Sequence, residues 1–247
     1  MTLTADWLGA IDGTNALAAT IEFSSHGLVQ QTDPLDAAGV AFEEADPVRS
    51  FVSWPGKRNF EGRLWLSSTG QHVPFESFWE RAFLTALDRT GEATGVSSQP
   101  MWIRWRSPKR SHAPDYFVRR DDGSGLLVDV RPRELIGSED EAKFELTRRL
   151  AAALGWSYLV FDELRGATQA NLRFLMRYRD PAWLDGVDLA SLNLVGQMTL
   201  AALAQRLAAV ARSGHGAAYA LVWKGVARAD LRTPLSMRTL VHLGGEP

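Results

Sequence analysis

Apolar positions in this chain recur with two periods, and the places where the period changes divide it into elements. Tyr116 to Arg120 and Leu126 to Val130 are short runs rich in aromatic and branched side chains, separated by the turn formers Asp121 to Gly125. They predict a β-hairpin. Met101 to Arg106, read Met-Trp-Ile-Arg-Trp-Arg, predicts a further strand after a turn region at Gly95 to Pro100. Over Val73 to Asp88 the period is helical: Phe75, Phe78, Trp79, Ala82, Phe83, Ala86 and Leu87 form one broad stripe. Glu76 and Glu80, four apart, would share a face of that helix, with Glu76 near its start and Glu80 in its middle. Gly137 and Ser138 precede Glu139, Asp140 and Glu141, a capped acidic helix start, and Gly155 is the expected C-cap. Ser157 to Phe161 then predicts a short buried strand. The order is helix, three strands, helix, strand, an α/β arrangement.

The flanks differ from this middle. Residues 1–48 carry Asp33, Asp36, Glu43, Glu44 and Asp46 with no Lys or Arg before Arg49, and predict an acidic arm or a short β-rich edge. Residues 49–165 hold the patterned core. Residues 166–247 predict helices at Asn171 to Tyr178 and Leu189 to Arg212, a strand at Tyr219 to Trp223, a turn at Lys224-Gly225, and a second short strand from Val226. Helices followed by a hairpin suggest a mainly helical, winged-helix-like module for docking DNA or a partner. A helical cap completing the core is the plainer alternative.

Composition narrows the chemistry. The 247 residues carry a formal charge of −2, so no global basic field announces nucleic acid. The chain has no cysteine, which excludes a disulfide framework and a thiolate zinc site. Met1 to Ala10 lacks the basic start and apolar core of a secretion signal, and no apolar run is long enough for a membrane span, so the expectation is a cytoplasmic protein. Within Arg49 to Leu66, Lys57, Arg58 and Arg63 alternate with Trp54, Phe60 and Trp65, a mixture that suits a phosphate backbone and exposed bases. An irregular segment whose aromatics fill the core edge would read the same way. Lys109, Arg110 and His112 form a basic loop before the hairpin.

The hairpin also carries candidate chemistry. Asp115 opens its first strand, Asp129 lies near the end of its second, and Arg131 follows Asp129 by two residues, on the same face. Two carboxylates and a cation at adjoining strand ends suit a divalent-metal site that cuts phosphodiesters. For the hairpin taken alone, strand-end capping with a solvated ion pair is the plainer reading.

Taken in order, Asn59-Phe60-Glu61-Gly62, Phe75-Glu76-Ser77-Phe78-Trp79-Glu80, Gln99-Pro100, Pro114-Asp115-Tyr116, Val128-Asp129-Val130-Arg131-Pro132 and Gly155-Trp156-Ser157-Tyr158 resemble the TnsA-type endonuclease subunit of heteromeric transposases. That family belongs to the restriction-endonuclease-like nucleases, with their Pro-Asp, spacer, acidic residue, any residue, lysine signature. The likeness covers roughly Arg49 to Asp162. It implies a core with a mixed central sheet in which Glu80, Asp115 and Asp129 bind Mg²⁺ or Mn²⁺. It also implies that the Val130 carbonyl adds a ligand, that Glu76 stands behind the site, and that Arg131 replaces the lysine. Arginine stays charged and cannot act as a base, so its role would be to hold water or phosphate. The implied partners are double-stranded DNA at transposon ends, a transposase subunit, and an AAA+ ATPase regulator. Two other readings stay open: a non-catalytic DNA-binding adaptor on the same fold, and a stand-alone restriction or repair nuclease.

Overall fold

A computed structural model describes residues 16–49, 60–107, 109–163 and 166–244. The protein is α/β with mixed sheets and divides into two compact units, the first Met1–Phe83 with Glu92–Glu163, the second Leu84–Gly91 with Leu164–Pro247. Among the described residues, no helix is long and apolar enough to cross a membrane.

Unit 1 runs β1 (Ala19–Ser25), β2 (Leu28–Thr32), β3 (Gly62–Leu66), β4 (Gln71–Phe75), α1 (Phe78–Thr90, whose first six residues belong here), β5 (Ala93–Ser98), β6 (Met101–Trp105), β7 (Arg110–His112), β8 (Tyr116–Arg120), β9 (Gly125–Val130), α2 (Ser138–Ala153) and β10 (Ser157–Phe161). One four-stranded sheet has the order β10-β9-β8-β5, with β10 parallel to β9 and the other pairs antiparallel. A second has the order β2-β1-β6-β7, and β3 pairs with β4 alone. The expected hairpin is β8–β9, with Tyr116 opposite Val128 and Phe117 opposite Leu127. Strand β9 is buried along Gly125–Asp129, as a strand flanked on both edges and covered by α2 should be.

Of the two expectations for the N-terminal segment, the β-rich edge fits, through β1 and β2, and the arm does not: Ile21, Phe23 and Phe42 are buried in the same cluster as Phe117, Leu127, Leu150 and Trp156. The Phe42 ring lies 5.1 Å from Phe23, 5.7 Å from Phe117 and 5.6 Å from Trp156. The acidic character that suggested an arm is locally matched, because Arg119 holds both Glu43 oxygens at 3.2 and 3.0 Å and the Val40 carbonyl at 3.2 Å. A run without cations is solvated only if no cation reaches it from elsewhere in the chain.

Two other expectations shift. Val73–Phe75 is the end of β4, so the helix starts at Phe78 rather than Val73. Gly95–Ser98 lies within a strand rather than a turn, where Gly95 admits Glu43 against its backbone: a Cβ there would stand 2.9 Å from the Glu43 side chain. Met101–Trp105 is a strand as the alternation implies, but it belongs to the second sheet.

Unit 2 contains the rest of α1, then α3 (Gly166–Leu175), β11 (Gly196–Thr199), α4 (Leu200–Leu207), α5 (Gly214–Trp223), β12 (Arg228–Ala229) and β13 (Leu240–Leu243), with sheet order β11-β13-β12. The long helix expected over Leu189 to Arg212 shrinks to α4, because Gly196–Thr199 pairs with β13 and Thr199 then caps α4 through Ala202 N–H at 3.2 Å. The strand expected at Tyr219–Trp223 is the C-terminal half of α5. Eight of the ten α5 residues are buried, so the segment is apolar on every side and its periodicity does not separate strand from helix. Gly214 lets α5 meet α4 closely; a Cβ there would lie 2.1 Å from the Ala204 carbonyl oxygen.

Candidate functional site

In unit 1 a cavity of about 660 Å³ is lined by Glu80, His112, Asp115, Asp129, Val130 and Arg131, together with Arg49, Trp79, Trp102, Asp140 and Lys143. The hairpin, the first turn of α1 and the start of α2 meet there.

Asp115 directly precedes β8, where Tyr116 begins the ladder. Its Oδ2 accepts the Val130 N–H at 2.7 Å, a bond that crosses the mouth of the hairpin and fixes the carboxylate beside the end of β9. The Asp115 backbone is engaged too, its carbonyl accepting the Gln99 N–H at 2.8 Å. Burial pushes the Asp115 carboxyl well above the ordinary range, and the Asp129 charge adds to the rise. The Val130 N–H works against it, Glu80 raises it further, and Arg49 lowers it. Asp129 is 3% exposed. His112 Nε2 lies 2.9 Å from its Oδ2, and the Tyr158 hydroxyl donates to the same oxygen. Burial, then the Asp129 charge, raises the Tyr158 pKa, so the phenol stays protonated as a donor.

Glu80 is the main surprise. It lies in the first turn of α1, not in mid-helix. Ser77 Oγ accepts the Glu80 N–H at 3.1 Å and donates to Glu80 Oε1 at 2.9 Å, while Oε2 accepts the Glu76 N–H at 2.8 Å. The pair forms a variant capping box, and Ser77-Phe-Trp-Glu80 is its sequence signature. Tyr116 also donates to Glu80 Oε2 at 3.2 Å. Burial raises the Glu80 pKa despite these donors. Glu76 precedes the helix, so the two glutamates do not share a helix face.

Arg131 is 47% exposed along its side chain and turns to Asp140, with Nη2 to Oδ2 at 3.4 Å; Lys143 meets the same carboxylate at 3.1 Å. Lys57 and Arg58 lie outside the described residues. Arg63 is exposed on β3; the expected basic loop is largely strand β7, with Lys109 just before it and Arg110 its first residue, and none of the three lines the cavity. Of the aromatics that suggested base stacking, Phe60 is engaged within the protein, its ring 4.2 Å from Phe78 and nearly parallel to it.

The donor chemistry suits a hard divalent cation: carboxylates and a backbone carbonyl, with Asp115 and Glu80 both raised first by burial and then by a neighbouring carboxylate, which a bound cation would offset. As they stand, no three His, Asp or Glu side chains among the described residues converge into a group able to hold an ion. Asp129 is engaged by His112 and Tyr158, Asp115 by the Val130 N–H, and Glu80 by Ser77 and Tyr116. Periodicity gave no role to Arg49, Trp102, Tyr116 and Tyr158, which reach the site through tertiary contacts; Tyr116 and Tyr158 stood in motifs of the resemblance without an assigned role, and Ser77, three residues before Glu80, carried a capping signature. No family model matches the chain, and no curated protein is significantly similar to it.

Proposed function

We propose that this protein is the metal-dependent DNA endonuclease subunit of a heteromeric transposase, hydrolysing phosphodiester bonds at transposon ends. The observation that carries the reading is the cavity in which Asp115 and Asp129, at adjoining strand ends, and Glu80 stand in one another's field. Support comes also from the sheet β10-β9-β8-β5, in which α1 precedes three strands and α2 separates β9 from β10, the helix, three strands, helix, strand order of the TnsA-type, restriction-endonuclease-like resemblance, with β5 in place of the Met101–Arg106 strand. In unit 2, the sheet order β11-β13-β12 with α4 and α5 supports the winged-helix-like reading of that module.

Asp115, Asp129 and the Val130 carbonyl would hold Mg²⁺ or Mn²⁺, with Glu80 joining from the α1 cap. When bound, the ion supplies Lewis-acid stabilisation of phosphoryl charge and lowers the pKa of water. His112 and Tyr158 fix the Asp129 carboxylate, and the Val130 N–H fixes that of Asp115, so neither must reorganise. Arg131 cannot serve as a base.

A second reading, the DNA-binding adaptor, is favoured by two observations: Glu80 already serves as a helix cap, and Arg131 is paired with Asp140. The partners proposed are duplex DNA, a transposase chain and an ATPase regulator. The winged-helix module would serve a partner rather than the major groove, because α5, at the position of a recognition helix, is buried and holds no Lys or Arg. The test is nicking of a plasmid bearing the transposon ends, in Mn²⁺ with the transposase chain present. Metal-dependent nicks at the ends are expected. DNA binding without nicking would leave the adaptor.

A further inference from the structure

The cation that the sequence position assigns to the site, Arg131, is drawn off to Asp140, which also holds Lys143. One carboxylate thus engages both cations on that wall. Lys109 and Arg110 do not line the cavity. Arg49 does. It is exposed, its guanidinium lies 5.9 Å from the centroid of the Trp102 ring, and among the described residues it has no carboxylate within ion-pair distance.

We infer that Arg49, braced on the Trp102 indole, is the phosphate-binding cation of the carboxylate cavity. The inference rests on reading that cavity as a DNA site, and it names the residue that takes the strand backbone there. A guanidinium lying over an aromatic face keeps its N–H edge available, and that edge matches two phosphate oxygens. The backbone just before it is anchored, with the Val48 N–H donating to the Gln99 carbonyl at 2.9 Å. Gln99 in turn bonds the Asp115 carbonyl, so two consecutive backbone bonds link the Arg49 segment to the central carboxylate. The Arg49 charge also offsets part of the burial-driven rise at Asp115. Arg104 lies over the same indole at 5.2 Å but is committed to Glu22 at 3.0 Å, which leaves Arg49 to meet the phosphate.

The experiment uses the full chain, a fluorescein-labelled short duplex, and Ca²⁺ in place of Mg²⁺, with anisotropy recorded across a salt titration. Melting curves confirm that Arg49→Gln, Arg49→Lys, Trp102→Leu and Arg131→Gln are folded. Arg49→Gln is expected to weaken binding on the order of tenfold and to reduce the log–log salt slope by about one, as loss of a single phosphate contact does. Arg49→Lys should keep the slope and lose part of the affinity; Trp102→Leu should fall between them. Arg131→Gln should lose less than Arg49→Gln. An unchanged slope in Arg49→Gln, an equal or larger loss in Arg131→Gln, or no binding by the wild type overturns the inference. Nicking by the wild type in Mn²⁺ judges the nuclease reading separately. If nicking is absent while the Arg49 result holds, the nuclease reading falls and this assignment stands.

Discussion

Asp115 ionises against its surroundings: it is desolvated, it faces Asp129, and its main relief is one backbone N–H. Its folded-state pKa is raised above the unfolded value of 3.8, so the folded protein binds the proton more tightly. Stability from this group is therefore fully present below about pH 3.8 and is lost as pH rises through the raised native value. Asp115→Asn removes that dependence. Its melting temperature should meet or exceed that of the wild type at neutral pH, with the advantage shrinking on acidification, while Mn²⁺-dependent nicking is abolished. Retained nicking in the variant would displace Asp115 from the site. Glu80 is raised in the same direction by burial, yet it is also a cap. Ser77→Ala should therefore cost about 1 kcal/mol in urea unfolding. Glu80→Gln, which keeps an acceptor in place, should instead shift the Mg²⁺ dependence of nicking, and by more than Glu76→Gln does. A larger effect at Glu76 would reverse the assignment. Nothing in spacing alone distinguished the two glutamates. The period of 3.6 placed both on a helix, whereas Pro74, and Ser77 three residues before a glutamate, mark where that helix begins.

At the scale of elements, legibility followed how local the determining forces are. The β8–β9 hairpin and α2 with its acidic first turn were readable because alternation, turn chemistry and caps all lie within a few residues; β10 was readable as a strand, but it is an edge strand with Leu159 exposed rather than the buried strand its apolar run implied. β5 was not, since Ala-Thr-Gly-Val-Ser-Ser has little apolar signal and becomes a strand by pairing with β8. Nor was α5, whose small residues are selected by close approach: Gly214 stands against the α4 backbone, and a Cβ on Gly216 would lie 2.2 Å from the Trp183 ring. Such contacts involve partners roughly ten to thirty residues away, beyond any periodic window. Gly214→Ala should consequently cost about 2 kcal/mol or more, because the clash is with backbone rather than with a flexible tip. Chemical denaturation with far-ultraviolet circular dichroism reads this directly, and a change within experimental error would argue against so tight an α4–α5 crossing. For the candidate site, Asp115 and Asp129 were legible and line one cavity; His112 was read only as part of a basic loop and instead meets Asp129. Arg49 and Trp102 were not, because their place depends on the pairing of β6 with β1.

Across the whole molecule the charges are unevenly shared. Unit 1 carries sixteen Lys and Arg against twenty-three Asp and Glu, and unit 2 carries eleven against six. A negative unit that holds the proposed cleavage site repels DNA until cations enter it. Duplex affinity of the full chain should therefore be weaker in EDTA than in Ca²⁺ at matched ionic strength, as anisotropy would show. Equal affinities would place the DNA contact elsewhere.

The division of α1 has a consequence for inheritance. Phe78–Phe83, with Glu80, belongs to unit 1, while Leu84–Thr90 belongs to unit 2, where Arg89 reaches the Val222 carbonyl at 3.3 Å and Asp88 meets Arg179 at 3.7 Å. A gene fusion or crossover near codon 164 that brought in a foreign C-terminal unit would strip half of this helix of its neighbours. Leu84, Asp88 and Arg89 would then face surfaces that never evolved beside them. A replaced C-terminal unit would therefore have to supply new contacts for Leu84, Asp88 and Arg89 along this two-turn stretch.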